Sequence, residues 1–512
     1  MHSKVFSATN IGVDAHLVEV EVDVSFGLVN FYIVGLPDTA IKESSKRIRT
    51  ALKNIGVSLP TKKITVNLAP ADLKKEGTVF DLPIAVGILL ASEWVSLDKT
   101  FLKETLFLGE LSLDGGIRPV KGALAIAYDA KRLKKKRLIL PKKNAAEASL
   151  IQDIEIIGVK TLPELISYLR KESVIEPTTY KPAILSQENS LCDFSQVKGQ
   201  QQAKRALQIA AAGRHNILFI GPPGAGKTML AKRLPTIMPP LTFNEMLETS
   251  KIYSISGKLL NKGIVTQRPF RSPHHTISQA GLVGGGSFPQ PGEISLSHNG
   301  ILFLDELTEF KRCTLEVLRQ PLESKTVCIA RAQQSINFPA SFLLIAALNP
   351  CPCGFWGDKK RTCTCAPQHI TRYLEKLSGP LLDRIDIQIN VQSVEYSTIK
   401  EHQPEIQSSA QMYKTVESAV NIQRKRFASD NMYNNNMTPD MIEQFCTLTE
   451  EAENILKKAF DILHLSMRGY HKLLKIARTI ADIEGVEIID VPHIQEALSY
   501  RCLDQTLERQ KR

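Results

Sequence analysis

The chain has 512 residues, 43% hydrophobic and 23% charged, the composition of an ordinary soluble protein and enough length for about three domains. Lysine and arginine number 64 against 53 acidic residues, a net charge of +11 that points to a polyanionic partner, nucleic acid first, or simply to a basic enzyme. The richest apolar run, Leu82 to Ala91, is too short to span a bilayer and contains Pro83, so no membrane partner is expected. No apolar stretch follows a basic start, so a secretory signal is not expected and the cytoplasm is the expected compartment. There the nine cysteines are free or metal-bound rather than paired.

In chain order, Val18 to Val24 alternates strictly and predicts a strand with one wet face. Leu28 to Val34 reads as its partner after the Gly27 turn. Gly35-Leu36-Pro37-Asp38 closes the sheet and caps a helix whose apolar face is Ile41, Ile48, Ala51, Leu52 and Ile55, with Gly56 as its stop. Strands are predicted over 63–68, 105–113, 137–140 and 154–159, and helices over 82–91, 121–133 and 164–169. Residues 1–170 therefore form a mixed α+β domain. The basic run Lys131 to Arg137 is either a solvated helix end or a nucleic-acid contact.

Three stretches carry a family resemblance: Gly35-Leu36-Pro37-Asp38-Thr39-Ala40-Ile41-Lys42-Glu43-Ser44, Val66-Asn67-Leu68-Ala69-Pro70-Ala71-Asp72-Leu73 and Phe80-Asp81-Leu82-Pro83-Ile84-Ala85. Through them residues 1–170 resemble the N-terminal domain of the ComM/YifB family of magnesium-chelatase-like proteins. The resemblance implies a domain like the proteolytic domain of Lon, with the ribosomal S5 domain 2-like fold. Lon-type proteases use a serine activated by a lysine. The matching loop here, Phe80 to Ile84, has no serine, and the lysine position falls near Ala123-Leu124. A scaffold without peptidase chemistry is expected.

Residues 171–190 lack apolar periodicity and read as a linker. The segment 191–395 is then organised around Gly221-Pro222-Pro223-Gly224-Ala225-Gly226-Lys227-Thr228, preceded by the apolar run Asn216 to Ile220 and followed by a helix. Strand, glycine loop and helix are the context of a phosphate-binding loop for ATP. Backbone N–H groups point at phosphate oxygens, the helix start adds its dipole, Lys227 reaches the β- and γ-phosphates, and Thr228 ligates Mg²⁺. Ile301-Leu302-Phe303-Leu304-Asp305-Glu306 is a buried strand ending in two acids, where an open α/β sheet places its ligands. Asp305 would hold Mg²⁺ and Glu306 would polarise the attacking water.

Between Lys227 and Asp305 lies an expected insertion. It carries Arg268 to Thr276, including His274 and His275, and a glycine loop, Gly281 to Ser287, that could face a pore. The histidines are either metal ligands or hydrogen-bonded structural residues. Thr326–Ala330 and Ser335–Phe338 predict a hairpin tipped by Arg331, a DNA-phosphate grip or a plain surface turn.

Phe342 to Leu348 predicts another buried strand, with Asn349 at its end. Cys351, Cys353, Cys363 and Cys365 have spacing that suits either a tetrahedral Zn²⁺ site or free thiols, with His369 as a substitute ligand. Residues 396–512 show helical periodicity over 412–427, 441–446, 451–463, 470–484 and 491–501, with an asparagine-rich loop at 429–436.

These motifs resemble those of AAA+ ATPases, and the resemblance to the ComM/YifB family extends over nearly the whole chain. It implies a multidomain α/β protein: the Lon-like α+β domain, a central AAA+ P-loop α/β domain and a C-terminal helical lid. Asn349 would be the sensor at the γ-phosphate. Leu381-Leu382-Asp383-Arg384-Ile385-Asp386 matches the arginine-finger motif of the branch that includes magnesium chelatase and MCM helicases. Arg468 matches the second-sensor arginine, which contacts the γ-phosphate when the lid closes, unless it is a plain surface residue. The implied activity is a hexameric ring ATPase that moves DNA branches during natural transformation. Other readings are a magnesium-chelatase motor subunit and a protein unfoldase.

Overall fold

The computed structural model describes residues 1–58, 61–75, 77–180, 192–259, 263–286, 289–331, 334–358, 360–393 and 407–501. The chain forms two compact units. One comprises residues 1–185, 246–265 and 330–338; the other comprises 186–245, 266–329 and 339–512.

The first unit is built on a four-stranded sheet in the order His2–Ile11, Asp14–Ser25, Lys63–Ala69, Phe31–Val34. Val18, Val20, Val22 and Val24 are buried while Glu19 and Glu21 face outward, as strict alternation demands. The predicted pairing of Leu28–Val34 with this strand is corrected. Phe31–Val34 pairs in parallel with Lys63–Ala69 instead. Both edges of Asp14–Ser25 are already taken. His2–Ile11 folds back on one through a tight turn in which Gly12 has φ +62°, and Lys63–Ala69 lies antiparallel on the other.

Asp38 caps the helix Thr39–Asn54 by accepting the Ile41 N–H at 2.8 Å. The helix Asp81–Ala91 is almost wholly buried. A Cβ at Gly87 would come within 2.5 Å of Val22, so only glycine allows this helix so close to the sheet. A second, parallel sheet runs Thr105–Phe107, Arg137–Pro141, Glu155–Val159. The predicted strand 105–113 is interrupted at Gly109, whose N–H and C=O turn to bond Val79 and Leu82 at the start of the buried helix. The stretch 246–265 packs on helix Ala123–Ala130: Leu247 and Leu259 join Leu124 and Leu150 in one apolar cluster, and Ser254 donates to Glu147 at 2.8 Å.

The second unit contains a five-stranded parallel sheet in the order Phe270–Arg271, Ile301–Leu304, Leu343–Leu348, Ile217–Ile220, Ile387–Asn390. Its three central strands are buried on both faces, which is why they read as unbroken apolar runs. Ile217–Ile220 is first in sequence and has its neighbours from later in the chain on either side. The order therefore reverses beside it, which puts a ligand crevice at its carboxyl end. The C-terminal helices Ser409–Phe427, Pro439–Phe445, Glu450–Ile462, Met467–Glu484 and Val491–Ser499 match the predicted positions within a few residues and share a core with the sheet. Among the described residues no helix is long and apolar enough to cross a membrane. Of the expected linker 171–190, residues 171–180 form no helix or strand, and 181–190 lie outside the described residues.

Candidate functional site

The loop 221–226 leaves the carboxyl end of strand Ile217–Ile220 and feeds directly into the helix Lys227–Arg233. Its glycines are there for definite reasons. Gly224 and Gly226 have φ of +79° and +89°, and a Cβ on Gly221 would lie 2.1 Å from the Val391 carbonyl. Nothing lies within 4 Å of where a Gly224 side chain would start, so that side of the loop is open. Pro222, Pro223 and Ala225 complete the turn, with the Ala225 N–H on the Pro222 carbonyl.

Lys227 is largely buried and donates to the carbonyls of Gly221 and Pro222, at 2.5 and 3.0 Å, and to Asn349 Oδ1 at 3.1 Å. Burial pulls its pKa down to about 8 despite the opposing charges of Asp305 and Glu306. Thr228 Oγ1 donates to Asp305 Oδ2 at 2.6 Å, and the other Asp305 oxygen accepts the Glu306 N–H at 3.0 Å. Lys227, Thr228, Asp305, Glu306 and Asn349 therefore come together from three adjacent strands and one loop. A cationic donor beside open backbone fits a polyphosphate, and a hydroxyl beside a carboxylate is the hard oxygen set that suits Mg²⁺.

Arg384 and Arg468 lie elsewhere in the same unit, and together. Arg384 Nη2 is 2.6 Å from Glu323 Oε1, and Arg468, in the first turn of helix Met467–Glu484, donates to the same oxygen. The Arg384 hydrogen bond holds the Glu323 carboxyl below its ordinary range, and Arg468 adds to the effect. Arg384 is further fixed by the carbonyls of Arg319 and Pro380. Neither arginine shares a bond with the Lys227 network. The turn that carries Arg384 is tied to the sheet through Asn216, whose amide donates to the Arg384 carbonyl at 3.0 Å and accepts the Leu344 N–H at 2.9 Å.

The four thiols of Cys351, Cys353, Cys363 and Cys365 lie within 4.8 Å of one another. Three of the separations are 3.3, 3.5 and 3.6 Å. A tetrahedron of thiolates at the Zn–S bond length has edges of about 3.8 Å, so the donor set fits one metal ion. The N–H groups of Phe355 and Thr364 draw the Cys353 thiol down to about 6. His369 is not part of the cluster. The knuckle abuts the phosphate loop: a Cβ on Gly354 would fall 2.6 Å from Pro223.

His274 bonds Thr276, and its ring stacks on that of His275 at 4.1 Å. His275 Nδ1 lies 3.4 Å from Glu306 Oε2, and its ring meets Phe310 edge-on. The glycine loop forms a short helix, Gln279–Val283, and a two-stranded ribbon pairing Gly284–Gly285 with Gln290–Pro291. The predicted hairpin is present as Thr326–Arg331 and Gln334–Pro339; the Arg331 side chain and the tip lie outside the described residues.

In the first unit the peptidase-like positions hold no hydroxyl–lysine pair. Asp81 is buried at the start of its helix and is clamped by Arg47 at 2.9 and 3.0 Å, while Ala123 and Leu124 are core residues. In the basic run Lys131 pairs with Asp153, Lys136 with Glu104 and Arg137 with Glu155. Lys135 is buried against Phe6, which lowers its pKa to about 8.

Glu323, Asn216 and the contact of His275 with Glu306 escaped sequence reasoning. Glu323 carries no motif, and Asn216 shows only as a polar residue opening an apolar strand.

A parallel α/β sheet with a lysine-bearing glycine loop at its order reversal, joined to a helical C-terminal region, defines a P-loop protein of multidomain α/β type. Residues 193–399 match the family described as "Magnesium chelatase, subunit ChlI", residues 20–144 "Subunit ChlI of Mg-chelatase" and residues 406–501 "Magnesium chelatase, subunit ChlI C-terminal". The chain is 45% identical over 509 residues to competence protein ComM of Haemophilus influenzae, covering 99% of this chain and 98% of that one. It is 43% identical over 506 residues to YifB of Escherichia coli K12, covering 99% and 98%. It is also 30% identical over 212 residues to Lon protease 2 of Bacillus subtilis, covering 37% of each chain. The chain belongs to the ComM/YifB family of magnesium-chelatase-like proteins.

Proposed function

We propose that the protein is a cytoplasmic AAA+ ATPase that assembles as a hexameric ring and couples ATP hydrolysis to movement along DNA. In this reading it drives branch migration and promotes recombination of incoming strands. The observation that carries it is the division of the ATPase residues into two groups. Lys227 with Asn349, and Thr228 with Asp305 and Glu306, gather at the phosphate loop, and Arg384 and Arg468 share Glu323 apart from them. A pocket completed by a neighbour's Arg384, and by Arg468 when the lid closes, accounts for both groups.

ATP supplies the phosphoryl group that is transferred. Lys227 and the loop N–H groups would hold its β- and γ-oxygens, and Thr228 and Asp305 would hold Mg²⁺. Glu306 would take the proton of the attacking water. Asn349, already on Lys227, would orient that water or the terminal phosphate. Arg384 of one copy would neutralise charge at the pocket of the next, and Arg468 would contact the γ-phosphate when the lid closes.

The DNA reading draws on the net charge of +11, on the Arg331 hairpin as a grip on a charged polymer, and on the similarity to competence protein ComM. The four cysteines would hold one Zn²⁺ that braces the phosphate loop.

A strand-displacement assay on three-way DNA junctions tests the reading. Displacement with ATP but not with a non-hydrolysable analogue is expected. ATP turnover that ignores DNA, with every junction left intact, would count against it. The family descriptions also favour a chelatase motor, which would instead support metal insertion into a porphyrin in a reconstituted assay.

A further inference from the structure

The first unit carries a charged face that ATP hydrolysis does not use. On helix Thr39–Asn54, Lys42, Lys46, Arg49 and Lys53 fall at i, i+4, i+7 and i+11. At 3.6 residues per turn they lie within about 60° of one another around the axis. All four are exposed, turned away from the buried Ile41, Ile48, Ala51 and Leu52. None of them pairs with a carboxylate among the described residues, whereas Arg47 of the same helix is held by Asp81. Glu43, the acid of this helix, lies about a quarter turn away, where its charge acts on Arg47. The stripe is about 17 Å long, the axial rise of about five nucleotides.

The stripe meets the edge strand Phe31–Val34 at Arg49, whose guanidinium lies over the Phe31 ring, 5.9 Å from its centroid. On the same strand Tyr32 is exposed, with Lys63 Nζ 5.3 Å over its ring. At the bend before the strand Phe26 is 91% exposed, with Lys62 Nζ 4.7 Å over its ring. The acidic wet face of Asp14–Ser25 is set apart from Tyr32 by the intervening strand Lys63–Ala69, and Asn67 of that strand donates to Glu21 at 2.9 Å.

Rings left in water and interleaved with cations match a polymer of phosphates and flat bases. The cations take the backbone and the rings stack on bases. A duplex hides its base faces, so the exposed rings favour a single strand. A helix that lies on a lipid surface turns its apolar face to the lipid. Here that face is buried in the core of the unit, and the cations are what remains outside.

We propose that this face of the first unit binds single-stranded DNA, with Lys42, Lys46, Arg49 and Lys53 on successive phosphates and Phe26 and Tyr32 stacked on bases. The inference rests on the reading of DNA as the partner and adds a contact separate from the Arg331 hairpin.

The test is fluorescence anisotropy of a labelled oligo-dT with the full chain over a range of salt. Lys46→Glu with Arg49→Glu should weaken binding at least about tenfold. It should also reduce the slope of log affinity against log salt by about 1.4, two phosphate contacts at about 0.7 each. Phe26→Ala with Tyr32→Ala should weaken binding at least about fivefold and leave the slope unchanged. A duplex of the same length should respond to the charge reversal and not to loss of the rings. The replaced side chains lie at the surface, so the melting temperature should hold, and Lys46→Gln with Arg49→Gln should repeat the change in slope without reversed charge. Unaltered affinity and slope in both charge variants overturn the proposal, and loss of binding in Arg331→Ala alone would then keep DNA as the partner at the hairpin. Capture of phosphatidylglycerol vesicles that the charge reversal abolishes, with oligo-dT affinity unchanged, overturns it in favour of a lipid surface. No oligonucleotide bound by the unaltered chain, with or without ATP, would instead remove the DNA reading itself.

Discussion

Glu323 Oε1 stands 2.6 Å from Arg384 Nη2 and is shared with Arg468. One carboxylate thus holds two guanidinium groups from distant parts of the chain on a common face. On the reading proposed above, Arg384 serves transfer chemistry at another copy's pocket.

Arg384→Ala should therefore bind ATP normally and hydrolyse it at least about a thousandfold more slowly. Lys227→Ala should lack turnover because its own pocket is broken. Mixing the two inactive variants should recover measurable activity, since the intact Arg384 of one can serve the intact loop of the other. Additive inactivity at every mixing ratio would mean that the finger acts within its own chain.

Lys227 predicts a pH dependence with a definite sign. Its pKa is lowered to about 8 by burial, so the nucleotide-free chain loses the ammonium charge as pH rises through that value. Polyphosphate binds the charged form and pulls the proton back on. Affinity for a fluorescent ATP analogue should be flat below about pH 7.5 and fall by up to about tenfold per pH unit above about pH 8. Lys227→Met, with nothing to titrate at that position, should bind weakly at every pH without that slope.

How much of this was legible follows from the range of each interaction. The phosphate loop, the two acids and Asn349 were readable because each is fixed by local chain geometry: a glycine with positive φ, or a polar residue at the end of a buried strand. The helix cap at Asp38 was readable for the same reason. The edge order of the first sheet was not, because the alternation of Val18–Val24 specifies a wet face but not which strand lies alongside. Glu323 was silent because its meaning comes from Arg384 and Arg468, both far along the chain. The asparagine-rich stretch read as a loop, yet Asn434 is buried, its side-chain amide donating to Asp482 at 2.8 Å and to Thr479 at 3.1 Å. Its polarity serves an interior network rather than solvent.

The cysteine knuckle should bind one Zn²⁺ per chain, measurable by atomic emission on the purified protein. Cys353→Ser with Cys363→Ser should lower that content to near zero. Because Gly354 presses on Pro223, metal loss should also loosen the phosphate loop. The KM for ATP should then rise severalfold, while the first unit keeps its stability. A metal-free protein with unchanged ATP affinity would separate the knuckle from the loop.

Glu245 is the remaining pressure point of the second unit. It is buried and receives Arg268 through two bonds, at 3.0 and 3.2 Å, and Arg214 at 3.2 Å. Arg268 also donates to the carbonyl of Asn299, just before the strand that carries Asp305, and burial lowers its pKa to about 10. Removing the carboxylate leaves two guanidinium groups in the interior without their counter-charge. Glu245→Ala should therefore cost about 3–5 kcal/mol, read as a lower urea midpoint for this unit, and Glu245→Gln should recover part of the loss through its remaining acceptor. The ordering of the two variants is the informative result. If both fall equally, the charge carries the stability; if neither falls by more than about 1 kcal/mol, water reaches the pair and screens it.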